Sequence, residues 1–203
     1  MLNCKARVAV LVSGGGTNLQ AIIDAQQSGV IRSGAVELVI ADKPEAYALE
    51  RAAKAGIDTR VVPKKQLSQV EFEATIRALL EEYNIDLIVL AGFMCILSGD
   101  FTDRYPERII NVHPALIPSF CGKGYYGLKV HQAALDYGVK VTGATVHFVN
   151  SIPDGGRIIS QKAVYIEPDD TPEILQRRVM EQAEWIILPE AIETVSHNII
   201  AGE

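Results

Sequence analysis

The chain has 203 residues, 48% hydrophobic and 22% charged. That excludes a disordered chain and is enough for one domain to bury well over half of its unfolded surface. A net charge of −6 offers no broad positive field to displace the counterions of a phosphate backbone, so nucleic acid is not expected as a partner. Cys4, Cys95 and Cys121 stand far apart without CxxC or Cys/His ligand spacing; they read as reduced thiols, with neither a disulfide framework nor a metal site expected.

The N-terminal stretch MLNCKARVAVLVSGGG contains an apolar run too short for a signal-peptide core or a bilayer span, so a cytoplasmic location without membrane attachment is expected. RVAVLVS (7–13) reads as a buried strand, and TNLQAIIDAQQSG as a helix with Leu19, Ile22, Ile23 and Ala25 on one side and Gly29 past its end. VELVIAD (36–42), TRVVP (59–63) and DLIVLAG (86–92) repeat the strand signal, with helical stretches at 44–55 and 68–83 between them. A fifth strand, RIINVH, spans 108–113. FCGKGYYGLKV (120–130) reads as a loop leading into the helix LKVHQAALDYG.

KVTGATVHFVN (140–150) and GRIISQKAVYI (156–166) alternate as an antiparallel hairpin around SIPDGG. The last segment opens with Thr171 as N-cap and Pro172 at the first helical position, and Leu175, Val179, Ala183 and Ile187 recur every four residues along a core-facing stripe. The pattern describes an α/β fold: a Rossmann-like, mostly parallel twisted sheet with helices on both faces, then an antiparallel hairpin and a long helix.

SGGGTN (13–18) joins a strand to a helix, where glycines permit close backbone approach and first-turn N–H groups point outward, as a phosphate requires. A dinucleotide fingerprint fails because its third glycine would fall on Leu19; Asp42 would be its candidate ribose acid. The plain alternative is a tight strand-to-helix turn.

In NVHPALIPSF (111–120), Asn111 and His113 lie two apart on a strand and therefore point to one side, and Pro114 fixes the chain's exit. An amide beside an imidazole suits a reaction in which negative charge grows on a carbonyl oxygen. Asp154, in SIPDGG, is the candidate acid; placed near His113 it would raise that ring's pKa from about 6.5. The plain reading of Asp154 is a turn residue, and His131 and His147 fit the description of hydrogen-bonded core histidines.

LVSGGGTNLQAII, IVLAGFMCILS, NVHPALIPSF, GATVHFVNSIPDGG and EWIILPEAI, in that order and over nearly the whole chain, resemble the phosphoribosylglycinamide formyltransferases of purine biosynthesis. The resemblance implies one formyltransferase domain over 1–203, with a nucleotide- and phosphate-binding lobe (1–113) and a folate-binding and catalytic-loop lobe (114–203). It implies transfer of a formyl group from 10-formyltetrahydrofolate to the amine of glycinamide ribonucleotide, without metal, by a monomer or homodimer.

Asn111, His113 and Asp154 would form the catalytic trio. Gly16, Thr17, Asn18 and Glu184 would hold the ribonucleotide. The folate would lie against Met94, Cys95, Ile96 and Leu97, with Asn111 and the loop Asn150, Ser151, Ile152, Pro153 and Asp154.

The chain departs from the resemblance where relatives often carry basic residues facing the folate's acidic tail: here stand Cys95 and Gln69. CGKGYYG reads as an insertion whose Lys123, with Lys129, would compensate. Trp185 replaces a histidine usual after the glutamate, in a helix that reads one residue longer. Methionyl-tRNA formyltransferase would need a further domain and a basic face, and formyltetrahydrofolate hydrolase an N-terminal regulatory domain ahead of a strand that starts near residue 7. A non-catalytic nucleotide-binding module would leave Asn111, His113 and Asp154 without a purpose.

Overall fold

The computed structural model describes residues 5–202, so Cys4 lies outside the described residues. Its strands are β1 (Ala6–Val12), β2 (Gly34–Ala41), β3 (Asp58–Val61), β4 (Leu87–Leu90), β5 (Ile109–His113), β6 (Val141–Phe148) and β7 (Ile158–Tyr165). They form one seven-stranded sheet in the order β3-β2-β1-β4-β5-β6-β7. The first five pair in parallel, and β5–β6 and β6–β7 are antiparallel. Helices are α1 (Thr17–Gln27), α2 (Ala48–Lys54), α3 (Gln69–Glu82), α4 (Gly99–Thr102), α5 (Leu128–Tyr137), α6 (Pro172–Val179) and α7 (Trp185–Ala201).

Both faces of the sheet are covered, which is why its central strands are nearly continuous apolar runs. On β1, Val8, Val10 and Val12 enter one core with Leu19 and Ile22 of α1 and Leu188 and Ile192 of α7. Ala9 and Leu11 enter the other with Phe72 and Ile76 of α3 and Phe101 of α4. Ser68 caps α3 by accepting the Glu71 N–H while the Glu71 carboxylate returns to the Ser68 N–H, satisfying two donors at the helix start. Thr171 accepts from the Ile174 N–H, with Pro172 opening α6, as the sequence implied.

The expected long C-terminal helix is present and carries one wider turn. Between α6 and α7 the chain makes a π-helical turn over Met180–Glu184. Leu175, Val179, Ala183 and Ile187 remain buried. Steps of four residues drift by about 40° each on an α-helix, and a wider turn takes up that drift.

At the centre of the sheet the register decides what shares a face. Ile110 and Val112 of β5, like Ala144, Val146 and Phe148 of β6, belong to the first core. Their alternates Asn111, His113, Thr145 and His147 therefore face the other way. Asn111 pairs with His147 and His113 with Thr145, and β6 carries an irregularity between Val146 and His147 against β7.

Candidate active site

Asn111 and His113 are presented together by β5, as their spacing required. Asp154 comes from the β6–β7 connection, where its φ of 55° lies in the left-handed region. The turn closes tightly behind it, because a side chain on Gly156 would overlap the Phe148 carbonyl. One carboxylate oxygen, Oδ2, lies 3.5 Å from His113 Nδ1, and the other, Oδ1, lies 3.6 Å from His147 Nε2. The Gly122 N–H also donates to Oδ2, at 2.7 Å.

A carbonyl only accepts, so two backbone oxygens assign the ring hydrogens. His113 donates from Nε2 to the Phe120 carbonyl at 2.8 Å, leaving Nδ1 toward Asp154. His147 donates from Nδ1 to the Phe148 carbonyl at 2.8 Å, leaving Nε2 toward Asp154 and, at 3.2 Å, toward the amide nitrogen of Asn111.

The electrostatics correct one expectation. His113 is held below the ordinary histidine range, not above it: burial against its charged form outweighs the pull of Asp154 and of the Phe120 carbonyl, and neighbouring His147 adds to the lowering. For Asp154 burial acts upward, but the closeness of His147, the Gly122 N–H and the charge of both imidazoles hold the carboxyl below the usual carboxylate range. The reading of the other two histidines as hydrogen-bonded core residues holds in part: both are buried, and His147 is hydrogen-bonded. His147 joins the Asn111–Asp154 cluster. His131, on α5, is buried with neither ring nitrogen hydrogen-bonded among the described residues, and burial with nearby His113 pushes it down to about 4.

These side chains line a cavity of about 680 Å³, within the range of small-molecule sites. Met94, Cys95, Ile96 and Leu97 line it, as do Asn150, Ser151 and Pro153. Ile152 does not: it is 62% exposed, its side chain crowding the position where Gly155 has no Cβ. The Cys95 thiol donates to the Asp42 carboxylate at 3.3 Å, and burial together with that carboxylate pushes it up to about 12. Asp42 is thereby engaged away from the cavity lining. Gln69 donates to Glu73 and to the Ile96 carbonyl. Lys123 lines the cavity, whereas Lys129 is outside the lining with its ammonium bonded to the Tyr126 hydroxyl at 2.8 Å. Cys95 and Cys121 are free thiols.

Of the expected ribonucleotide residues, Thr17, Asn18 and Glu184 line the same cavity. Asn18 donates to Glu184 at 2.7 Å, and its Oδ1 is buried without a partner among the described residues, which leaves an acceptor for a bound hydroxyl or amide. Burial raises the Glu184 carboxyl to about 7, opposed by the Asn18 hydrogen bond. Gly16 is outside the lining: at φ 69° it caps α1, and a Cβ there would sit 2.7 Å from Ala48 Cβ. Close helix packing explains this glycine.

A model of the family described as "Formyl transferase" matches residues 6–192. The phosphoribosylglycinamide formyltransferase of Haemophilus influenzae is 44% identical over 92% of this chain and 85% of its own length. The chain belongs to the formyl transferase family, among the phosphoribosylglycinamide formyltransferases. The crystal structure of glycinamide ribonucleotide transformylase 1 from Symbiobacterium toebii superposes with a TM-score of 0.89 at 42% identity, covering 96% of this chain and 89% of that one. The trifunctional purine biosynthetic protein adenosine-3 of Homo sapiens is 44% identical over 97% of this chain, which spans 19% of that protein's length.

Within this formyl transferase, several cavity residues went unnoticed in the sequence. Gln176 and Met180 line the cavity, with Met180 Sδ 3.7 Å from Thr17 Oγ1. Tyr125 and Tyr126 contribute from the glycine-rich loop. His147 had a signal, its alternation in phase with Asn111 across an antiparallel pair, but reading it required the strand register. Among the described residues no group of three or more His, Cys, Asp and Glu side chains is placed to hold a metal ion.

Proposed function

We propose that this chain transfers the formyl group of 10-formyltetrahydrofolate to the amine of glycinamide ribonucleotide, as a cytoplasmic monomer or homodimer. The observation that carries the reading is the convergence of Asn111, His113 and Asp154 in the cavity that Thr17, Asn18 and Glu184 also line. Membership of the phosphoribosylglycinamide formyltransferases supports the choice of substrates.

In the reaction the amine lone pair forms a bond to the formyl carbon, and the carbonyl π electrons move onto oxygen. Asn111 donates a hydrogen bond to that oxygen, and imidazolium His113 places positive charge beside it, with a second hydrogen bond once its Nε2–H turns from the Phe120 carbonyl. Asp154 favours the imidazolium against the cost of burying it and passes the proton lost by the attacking nitrogen toward the folate nitrogen. The carbon–nitrogen bond to folate then breaks, releasing tetrahydrofolate and the N-formyl product. Holding both reactants in one cavity replaces a bimolecular encounter with an effectively unimolecular step.

The folate is assigned to Met94, Cys95, Ile96 and Leu97 and the 150–154 loop, with the Ile152 side chain outside the contact. The ribonucleotide phosphate is assigned to the first turn of α1 around Gly16, Thr17 and Asn18, and its polar portion to Glu184, beside the orphaned Asn18 oxygen.

The test is a formyl-transfer assay with both substrates, on the wild type and on His113→Ala. Turnover that falls by about a hundredfold or more in a folded variant supports the reading. Wild-type protein that binds the ribonucleotide but never turns over would make it a binding module.

A further inference from the structure

The mechanism above leaves His147 without a task, although it is 1% exposed and stands directly opposite Asn111 in the β5–β6 register. Its Nδ1 hydrogen is committed to the Phe148 carbonyl, so in the neutral ring Nε2 is a bare acceptor, 3.2 Å from the Asn111 amide nitrogen and, at 3.6 Å, beyond hydrogen-bond distance of Asp154 Oδ1. We propose that His147 is a positioning residue for formyl transfer: by accepting a hydrogen bond from Asn111, it fixes which end of that amide faces the reacting carbonyl. The inference rests on the donor role proposed for Asn111.

The two ends of a carboxamide have nearly the same shape, and rotation about its last torsion exchanges them at little cost. Packing alone therefore does not choose between them; an adjacent group that can only accept does. Facing bare Nε2, the amide oxygen would be repelled, so the NH₂ end turns to the ring. One of its hydrogens is used there and the second remains for the oxygen that becomes negative. The choice is passed along a chain of contacts: the Phe148 carbonyl selects the ring tautomer, and the tautomer selects the amide orientation. Phe148 is itself held by its N–H to the Arg157 carbonyl at 2.9 Å, beside the closely packed Gly156.

The experiment compares His147→Leu and His147→Gln, each alone and combined with Asn111→Ala, by kcat, KM for both substrates and melting temperature. Leucine fills the space without an acceptor; glutamine restores an oxygen that can accept. His147→Leu is expected to lower kcat by about tenfold to a hundredfold, less than outright loss of an oxyanion donor, with both KM values nearly unchanged.

His147→Gln is expected to recover most of the loss, and in the Asn111→Ala background the leucine should add little. If the leucine variant does not fold, His147→Phe, which also fills the space without an acceptor, takes its place in the same comparison. Wild-type kcat in His147→Leu, no advantage of Gln over Leu, or effects that multiply in the double variant would overturn the proposal. Wild-type kcat in Asn111→Ala alone would instead overturn the donor role on which it rests.

Discussion

Asp154 meets His113 with one carboxylate oxygen 3.5 Å from ring Nδ1, yet the ring remains below the ordinary histidine range because burial is the larger influence. Asparagine at 154 would keep the shape and remove the charge that favours imidazolium. Where the protonated ring is the working form, activity declines as pH rises through its pKa, and Asp154→Asn moves that decline to lower pH. The expected outcome is a fall in kcat of about a hundredfold or more at neutral pH with the alkaline limb of the pH–kcat profile displaced downward. A profile of unchanged shape would show that Asp154 does not act through His113.

Glu184 has the opposite linkage to an ordinary carboxylate. Its folded-state pKa of about 7 lies above its ordinary value of 4.5, so its stabilising contribution is fully present below pH 4.5 and is lost as pH rises through 7. The total is about 3 kcal/mol. Glu184→Gln retains an acceptor for Asn18 without a charge. Melting temperatures of the two proteins should diverge in favour of glutamine between pH 4.5 and 7 and stay apart above that, while KM for glycinamide ribonucleotide rises. A difference independent of pH would mean that the carboxyl titrates normally.

The glycine loop separates two effects within three residues. Gly16 is in the left-handed region with Ala48 Cβ 2.7 Å from where a methyl would go, whereas a methyl on Gly14 meets nothing within 4 Å. Gly16→Ala should cost about 2–3 kcal/mol in urea denaturation and Gly14→Ala less than about 0.5.

The folate tail offers a further contrast. Lys123 lines the cavity, while Lys129 is occupied by the Tyr126 hydroxyl and stands 4.5 Å from that ring's centre. Lys123→Ala should raise KM for a polyglutamylated 10-formyltetrahydrofolate by about fivefold at low salt, with the difference shrinking as salt is added, and Lys129→Ala by less. Unchanged KM in both variants would leave the missing basic side chains at Gln69 and Cys95 uncompensated by this loop.

What was legible in the sequence follows a physical division. Alternation and turn chemistry are local, so the strands, the Thr171 cap and the shared direction of Asn111 and His113 could be read from the residues alone. His147 depended on which residue of β6 stands opposite Asn111, and the orphaned state of His131 depended on what α5 packs against; neither is encoded nearby in the chain. The sign of the His113 shift was misjudged for a similar reason: a neighbouring charge can be inferred from a motif, but the cost of removing water depends on the whole fold. Gly16 reads as ligand chemistry in the sequence, and its contact with Ala48 of α2 adds a packing reason that only the fold shows.

The wide turn at Met180–Glu184 has a consequence for how this chain tolerates length changes. It directs Glu184 to Asn18 while Leu175 and Val179 before it, and Ile187 and Leu188 after it, all reach the same core. Deleting one residue there would not merely shorten a connection: it would rotate the seventeen-residue α7 by about 100° about its own axis and swing Ile187, Ala191 and Val195 out of the interior. A single-codon deletion in this short span would thus be felt along the entire terminal helix, whereas one added to the exposed 123–127 stretch would act only locally, at the part of the cavity that Lys123, Tyr125 and Tyr126 line.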